Sequence, residues 1–376
     1  MPAGTALEAL FLMFFGRLGS LNALEQTRSS AFWSRRLGRS LPSADTLGRV
    51  AAGVDPDRVR EVLDAFYAAR KAAKAIPAPP HGLMALVVDG HESTSSELRC
   101  CDGCLERVVT TSKGPRTQYY HRYVAGLLVG DGVELWLDLE PQRRGEDEVA
   151  AAIRLTERIH GAHPRAFDVV VGDGLYTQAR FFEAIRALGK DVIAVLKREE
   201  LRLTREAREL LNQLDAVAVA RPKGRTCQAW DVEDLRLGED DAIPVRVVRT
   251  IETTSVRRQR TGRVETMTTE WLWVTTIERA RASTATIISI GHRRWAVENE
   301  GFNVLANHWK ADHIYRNDPV AIEMLTLLAM LAANVAQAFL EGSLKPEFRA
   351  RTTLSHVIAL IAGAIRSGQE ECAAPP

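Results

Sequence analysis

Apolar residues recur at helical spacing through the first part of the chain. The repeat is clear over residues 7–15, Ser43 stands where a helix N-cap is expected, and a further helix is predicted over 56–75. The proline-rich segment 76–80 cannot continue a helix and indicates a stiff linker. The pattern therefore predicts a helical N-terminal region, residues 1–80.

A different pattern follows, in which short apolar runs alternate with amphipathic stretches. The apolar runs predict strands buried on both faces, and they lie at 83–88, 167–171 and 192–196. Between them the sequence predicts a hairpin and two helices, at 119–139, 146–160 and 177–188. Strands and helices in this order indicate an α/β core.

The alternation stops after residue 200 and returns near residue 286. The intervening residues 201–285 are rich in Thr, Val, Arg and Trp and predict a β-rich insertion subdomain. One helix is predicted from near Ser283 through Glu298 to about Lys310, and two more follow it. The predicted core therefore comprises 81–200 and 286–342. A C-terminal helix and tail make up 343–376.

Composition adds little to this division but excludes some classes of protein. The 376 residues carry a net charge of +1, which argues mildly against a strongly basic DNA-binding domain. Five cysteines give no even-numbered disulfide framework, and the N-terminus lacks a basic leader with a cleavage site. The apolar segment 321–340 contains Glu323, Asn334 and Gln337, which favours a buried helix over a membrane span. We therefore expect a cytoplasmic protein without a membrane partner.

Two acidic residues follow the predicted buried strands. Asp89 and Asp173 each come after an apolar run and precede a glycine. Taken alone, either Asp-Gly pair more often marks a turn. Parallel strands, however, bring their carboxyl ends together, and two carboxylates there repel unless a cation joins them. Oxygen ligands favour Mg²⁺ or Mn²⁺ over zinc. Glu298 is the best candidate for a third acid, with Glu300 as its rival.

These acids stand in three short motifs. Together the motifs resemble the insertion-sequence DDE transposases of the IS-four-like group, and they read Val87-Val88-Asp89-Gly90-His91, Val171-Gly172-Asp173-Gly174-Leu175-Tyr176 and Arg294-Trp295-Ala296-Val297-Glu298-Asn299. The β-rich insertion before the glutamate and the helical start around Pro42-Ser43-Ala44-Asp45-Thr46-Leu47 are also typical of that group. The resemblance covers roughly residues 20–342.

The resemblance implies a fold and a function. It implies a ribonuclease-H-like mixed sheet with flanking helices, a β-rich insertion, and helical N- and C-terminal regions, of which 1–80 would bind DNA. It also implies a DNA transposase in which Asp89, Asp173 and Glu298 hold two Mg²⁺ or Mn²⁺ ions. Its partners would be double-stranded DNA, at element ends and target, and a second copy of the chain, near the nucleoid. A DNA-binding relative without activity and a nuclease without a joining step are the alternatives.

Arg294 precedes Glu298 by one helical turn. On a helix the two share a face, so Arg294 would hold a phosphate or orient the carboxylate. An ordinary surface ion pair is the alternative.

The sequence also departs from the group's pattern. Where the group has a tyrosine before that arginine and a lysine after the glutamate, this chain has Gly291 and Leu305. His292 and Lys310 lie nearby and are candidate DNA contacts in their place.

The insertion contains further candidate DNA contacts. Trp271 and Trp273 are two residues apart and would share one face of a strand. Burial is the default for such tryptophans, and stacking on an extruded base is the alternative. Gly262 suggests a hairpin tip, and a basic cluster beside it offers phosphate contacts through Arg257, Arg258, Arg260 and Arg263.

The sequence also contains one C-x-x-C motif. Cys101 and Cys104 form it, and only Cys227 or a histidine such as His121 could complete a metal site with them. Because zinc usually has four ligands at motif spacing, reduced structural thiols are the simpler interpretation and zinc remains the alternative.

Overall fold

The computed structural model describes residues 3–79, 81–220, 225–238, 243–257 and 262–367. Arg258 and Arg260, two of the predicted DNA contacts, lie outside these residues.

The N-terminal region consists of five helices. They are α1 (Ala3–Phe15), α2 (Leu21–Gln26), α3 (Ala31–Leu37), α4 (Ala44–Gly53) and α5 (Asp57–Ala72). Ser43 caps α4, because its hydroxyl accepts a hydrogen bond from the Thr46 backbone N–H at 3.3 Å. The polar cap thus sets the start of α4 where the sequence indicated it.

Six strands and two helices follow, and all of them except the second strand were predicted from the sequence, in this order. They are β1 (Ala85–Ser96), β2 (Leu105–Thr111), β3 (Gly114–Gly130), β4 (Val133–Pro141), α6 (Glu148–Ala162), β5 (Val169–Gly172), α7 (Ala179–Ala187) and β6 (Asp191–Val195).

The sheet is mixed, and β1 is the middle one of its five core strands. It pairs antiparallel with β3 on one side and parallel with β5 on the other, and β5 pairs parallel with β6. The second half of β3 also pairs antiparallel with β4. The order β4-β3-β1-β5-β6 with flanking helices is a ribonuclease-H-like core. The parallel pairing of β1 with β5 stops at Val87, next to the carboxyl end of β5, which is where ligands bind in α/β sheets.

The predicted insertion adds strands to this same sheet. It comprises α8 (Arg202–Leu211), β7 (Val217–Ala218), β8 (Arg225–Leu237), β9 (Ile243–Arg257) and β10 (Val264–Thr275). β10 pairs antiparallel with β6, and β9, β8 and β7 follow in order. Insertion and core therefore share one continuous sheet.

The remaining helices return to the core and then to the N-terminal region. They are α9 (Thr284–His292), α10 (Arg294–Ala296), a π-helical turn (Val297–Phe302), α11 (Asn303–Trp309), α12 (Pro319–Gly342), α13 (Pro346–Arg349) and α14 (Leu354–Ser367). Side chains of α1, α12 and α14 belong to one hydrophobic core.

By length and composition alone, α12 would pass as a membrane span. Its mean hydropathy reaches 1.8, but 67% of that stretch is buried inside the protein, as in a core helix. Its polar residues also have partners there. Asn334 makes two hydrogen bonds to the Trp136 backbone on β4, at 2.9 and 2.8 Å, and Glu323 forms an ion pair with Arg60. Polar residues that seemed out of place in an apolar segment thus fix α12 to its neighbours.

Candidate active site

Asp89 lies inside a strand rather than at its end. The parallel pairing of β1 with β5 stops at Val87, opposite Val171, whereas the antiparallel pairing with β3 continues to Ser96. The expectation that the strand stops at Asp89-Gly90 is therefore wrong, because β3 provides hydrogen bonds for the polar residues that follow. Asp89 stands just beyond the point where β5 leaves β1, and its carboxyl group is partly buried.

Gly90 is explained by packing rather than by a turn. A Cβ atom at this position would collide with the carboxylate of Glu148, which lies in the first turn of α6. Glu148 is only 5% exposed. The glycine after Asp89 therefore makes room for a second buried acid.

Asp173 follows β5 directly, as its motif predicted. It caps a short 3-10 helix, Gly174–Tyr176, and its Oδ1 atom accepts a hydrogen bond from the Leu175 N–H at 2.7 Å. A Cβ atom on Gly172 would lie 2.6 Å from the Tyr176 ring, so only glycine fits there. The tyrosine of the motif thus packs back on the end of β5.

Glu298 lies in the π-helical turn, where the sequence predicted an uninterrupted helix. Nη1 of Arg294 donates a hydrogen bond to its Oε1 at 2.9 Å. The arginine side chain is 8% exposed and lies over the Trp295 ring, whereas the glutamate is 46% exposed. Because Arg294 is buried, the pair differs from an ordinary surface ion pair. π turns occur frequently at functional sites.

The rival acid, Glu300, faces elsewhere. It lies near Glu134 on β4, and burial together with the neighbouring Glu300 carboxylate raises the pKa of Glu134 to about 8. Glu298, unlike Glu300, is among the charges that contribute most to the raised pKa of Asp89. The local geometry thus favours Glu298 over Glu300 as the third acid.

Other carboxylates surround Asp89 and change its pKa. Burial raises the pKa of Asp89 to about 7, with further contributions from the negative charges of Asp173, Glu148 and Glu298, while Arg294 opposes the shift. Three carboxylates therefore act on a fourth, partly buried one. Such an arrangement is unfavourable without a cation and becomes favourable with one.

The carboxylates do not form a tight single-ion cage. Among the residues that the structure describes, the only three His, Cys, Asp or Glu ligand atoms within 4.8 Å of one another belong to Cys101, Cys104 and His121. The oxygen-only donor set fits divalent ions such as Mg²⁺.

Glu148 is the site residue that the sequence did not reveal. The Tyr176 hydroxyl donates a hydrogen bond to its Oε1 at 2.8 Å, and Arg122 forms an ion pair with its Oε2. Burial raises the pKa of Tyr176 well above its ordinary value, which keeps this donor protonated. Acidic residues are common in first helical turns, so nothing in the sequence distinguished Glu148.

An aromatic contact joins β1 to the π turn. His91, two residues after Asp89, stacks on Phe302 with ring centroids 4.4 Å apart. Gly301 lets the turn approach Trp136 on β4, because a Cβ atom there would lie 2.7 Å from the indole. These contacts fix the turn that carries Glu298 to the strand that carries Asp89.

Packing explains why position 291 is a glycine and not the tyrosine of the group's pattern. A Cβ atom at this position would lie 2.8 Å from the Trp273 indole, so the tryptophan fills the space that another side chain would use. Leu305 is likewise buried at 2% exposure, in a position unsuited to a lysine.

The two tryptophans of β10 differ in burial. Their rings stack at 5.9 Å on one face of the strand, as predicted. Trp273 is completely buried, however, so it cannot meet a DNA base in this conformation and is a core residue. Trp271 is partly exposed, with its ring 4.7 Å from Trp295.

The other candidate DNA contacts are dispersed. His292 is paired with Glu252 of β9, with 2.6 Å between Nε2 and Oε1. Lys310 ends α11 in a left-handed conformation, with φ of 56°. Arg257 is exposed at the end of β9, and its Nε donates to the Gly262 carbonyl at 3.3 Å.

Comparison with known proteins gives the family. No curated protein matches the chain. The family model described as transposase DDE domain matches residues 89–335. The match begins at Asp89, spans more than half of the chain and includes Asp173 and Glu298. Members of this family are transposases that act on DNA and generally use divalent metal ions. The chain therefore belongs to the transposase DDE domain family.

Proposed function

We propose that this protein cleaves DNA at the ends of an insertion sequence and transfers the resulting ends to a target. It would do so as a polynucleotidyl transferase with Asp89, Asp173 and Glu298 as catalytic residues. The observation that carries the proposal is the crowding of negative charge around Asp89, whose pKa rises to about 7. A cluster that is unfavourable without cations is suited to binding them.

The same three residues would hold two Mg²⁺ or Mn²⁺ ions. Bound there, the ions would supply a nucleophile at neutral pH and stabilise the leaving oxygen. Glu148 would not bind DNA, because it is buried behind Gly90. It would position the ligands instead, by adding a negative charge beside Asp89.

Arg294 would orient Glu298. Its buried guanidinium donates a hydrogen bond to Glu298 Oε1 at 2.9 Å, and its positive charge opposes the rise in the pKa of Asp89. Arg294 would therefore hold Glu298 on the side of the site where Asp89 lies. A guanidinium at this place can also contact a DNA phosphate.

The reaction would proceed as two displacements at phosphorus. In the first, a water oxygen forms a bond to the phosphorus at the element end. The P–O3′ bond breaks, and the water's proton goes to solvent. The released 3′-oxygen takes up a proton and becomes a hydroxyl. In the second, that hydroxyl attacks a target phosphodiester, forms a new P–O bond and releases another 3′-hydroxyl. No oxidant, reductant or nucleotide cofactor is needed.

DNA would lie across the exposed face of the site. Trp271, His292, Lys310 and Arg257 are the described residues proposed to contact it. Arg258 and Arg260 remain proposed contacts from the sequence alone. Pairing two element ends would require two copies of the chain, near the nucleoid.

The test is incubation of the protein with Mg²⁺ and DNA that carries the inverted repeats flanking its gene. We expect cut ends that are then joined to target DNA. Cutting without joining would indicate a nuclease instead. Binding without cutting would indicate a relative that has lost activity, and either result would overturn the proposal.

A further inference from the structure

A second cluster of metal-binding side chains lies apart from the carboxylates. Cys101 and Cys104 stand in the connection from β1 to β2, and His121 lies on β3. Their ligand atoms all lie within 4.8 Å of one another. The cluster was only an open alternative in the sequence, because the fold alone brings His121 to the C-x-x-C motif.

The distances within the cluster are close to the edges of a tetrahedral metal site, and each is slightly shorter. The two Sγ atoms are 3.6 Å apart, and Nε2 of His121 lies 3.1 Å and 3.3 Å from the Sγ atoms of Cys101 and Cys104. A tetrahedral zinc ion would place two sulfurs about 3.8 Å apart and a sulfur and a nitrogen about 3.5 Å apart. Both cysteines are free thiols.

The backbone around the cysteines is already arranged for metal binding. The Cys101 N–H donates to Cys104 Sγ at 3.2 Å, and the Cys104 N–H donates to the Cys101 carbonyl at 3.1 Å. An N–H directed at sulfur stabilises the thiolate that a metal requires. Gly103 between them fits against Pro319 and His121, where a Cβ atom would collide with Pro319 at 2.7 Å.

We propose that Cys101, Cys104 and His121 bind one zinc ion, with a water molecule as the fourth ligand. Soft sulfur and imidazole donors select zinc over the hard Mg²⁺ ion expected at the carboxylates. Cys227 does not complete the site, because it is buried on β8 in the insertion. Cys100 is exposed beside the cluster and serves as the natural control.

The zinc ion would hold together the part of the sheet in which β1 and β3 continue beyond the active site. It would tie the β1–β2 connection to β3, close to the start of α12 at Pro319. The same connection is held by Arg144, whose Nε donates to the Cys104 carbonyl at 2.7 Å. The inference does not rest on the proposed DNA chemistry.

The experiment measures metal in the purified full-length protein, kept reduced. Elemental analysis should find about one zinc per chain, and Co²⁺ added after zinc removal should give the visible absorption of a tetrahedral cobalt thiolate. Cys101→Ser, Cys104→Ser and His121→Ala should each lose that absorption and bind zinc at least tenfold more weakly. Cys100→Ser should keep both properties.

Two results would overturn the proposal. One is a reduced wild-type protein with no zinc and no cobalt–thiolate absorption. The other is zinc retained at the wild-type level in Cys101→Ser and Cys104→Ser. If these variants fold poorly, the wild-type protein alone provides the test. Removing its zinc with a chelator should lower its melting temperature, and adding zinc back should restore it. An unchanged melting temperature and a silent cobalt titration would count against the site.

Discussion

The carboxylate of Glu148 occupies the space that a side chain on residue 90 would need. Gly90 therefore serves to bring an acid of α6 against β1, directly beside Asp89. The motif around Asp89 thus reflects the packing of a fourth carboxylate as well as the position of the first.

Glu148→Gln tests whether this acid contributes to metal binding. The amide keeps the volume and can still accept the hydrogen bond from Tyr176, but it removes the negative charge near Asp89. We expect the affinity for Mn²⁺, measured by calorimetric titration, to fall about 10- to 100-fold. Glu157→Gln, an exposed change on the same helix, should leave it unaltered. If Glu148→Gln changes only the melting temperature, the residue is structural.

Replacing each of the two tryptophans of β10 with alanine should have different effects. Trp273→Ala removes a fully buried indole and should cost about 3–5 kcal/mol of stability in thermal or denaturant unfolding. Trp271→Ala should fold and nick the first strand nearly as well as wild type, yet lose end processing or joining, because base stacking is lost. If Trp271→Ala also loses stability and all activity together, it is a core residue and has no separate role in DNA capture.

Lys310→Gly distinguishes a DNA contact from a structural residue. Lys310 has φ of 56°, a conformation that glycine adopts more easily, so the change should preserve stability or raise it by roughly 0.5–1 kcal/mol. DNA affinity should fall, and the slope of its logarithm against the logarithm of salt should shrink by about one. Asp234→Gly, at another positive φ, controls for the backbone effect. Unchanged DNA affinity would remove Lys310 from the interface.

The Glu134–Glu300 pair should make stability depend on pH. The folded protein raises the pKa of Glu134 from 4.5 to about 8, so the folded state binds this proton more tightly than the unfolded state. Stability should therefore fall as pH rises through this range. Glu134→Gln has no proton to lose at this position. The variant's melting temperature should therefore exceed that of wild type, and the difference should be larger at about pH 9 than at about pH 5. A constant difference between the two proteins would show that the pKa of Glu134 is not raised by this contact.

The sequence predicted the core because its strands are apolar on both faces. The runs before Asp89 and Asp173 correspond to β1 and β5, and their acids lie beside each other as parallel strands require. It did not predict that β1 continues to Ser96, since the residues after Gly90 are polar and are held by pairing with β3. That pairing depends on tertiary structure and leaves no local pattern.

Two parts of the site had no local signal at all. A π turn has the same composition as an α-helix, so the sequence predicts a continuous helix where the structure has a π turn over Val297–Phe302. The role of Glu148 depends on a contact with Gly90, 58 residues earlier in the chain. The glycine at position 291, where the group has a tyrosine, likewise has no local explanation. It is explained only by its contact with Trp273 in the folded chain.

The central claim is most directly tested by divalent-metal-dependent cleavage of DNA that carries the flanking inverted repeats. Asp89→Asn, Asp173→Asn and Glu298→Gln should each abolish cleavage with Mg²⁺ or Mn²⁺ while DNA binding stays close to wild type, because each loses a charged oxygen ligand. Glu300→Gln, two residues from Glu298 but turned toward Glu134, should still cleave. Substantial cleavage by Asp173→Asn, or loss of cleavage in Glu300→Gln with retention in Glu298→Gln, would contradict the account.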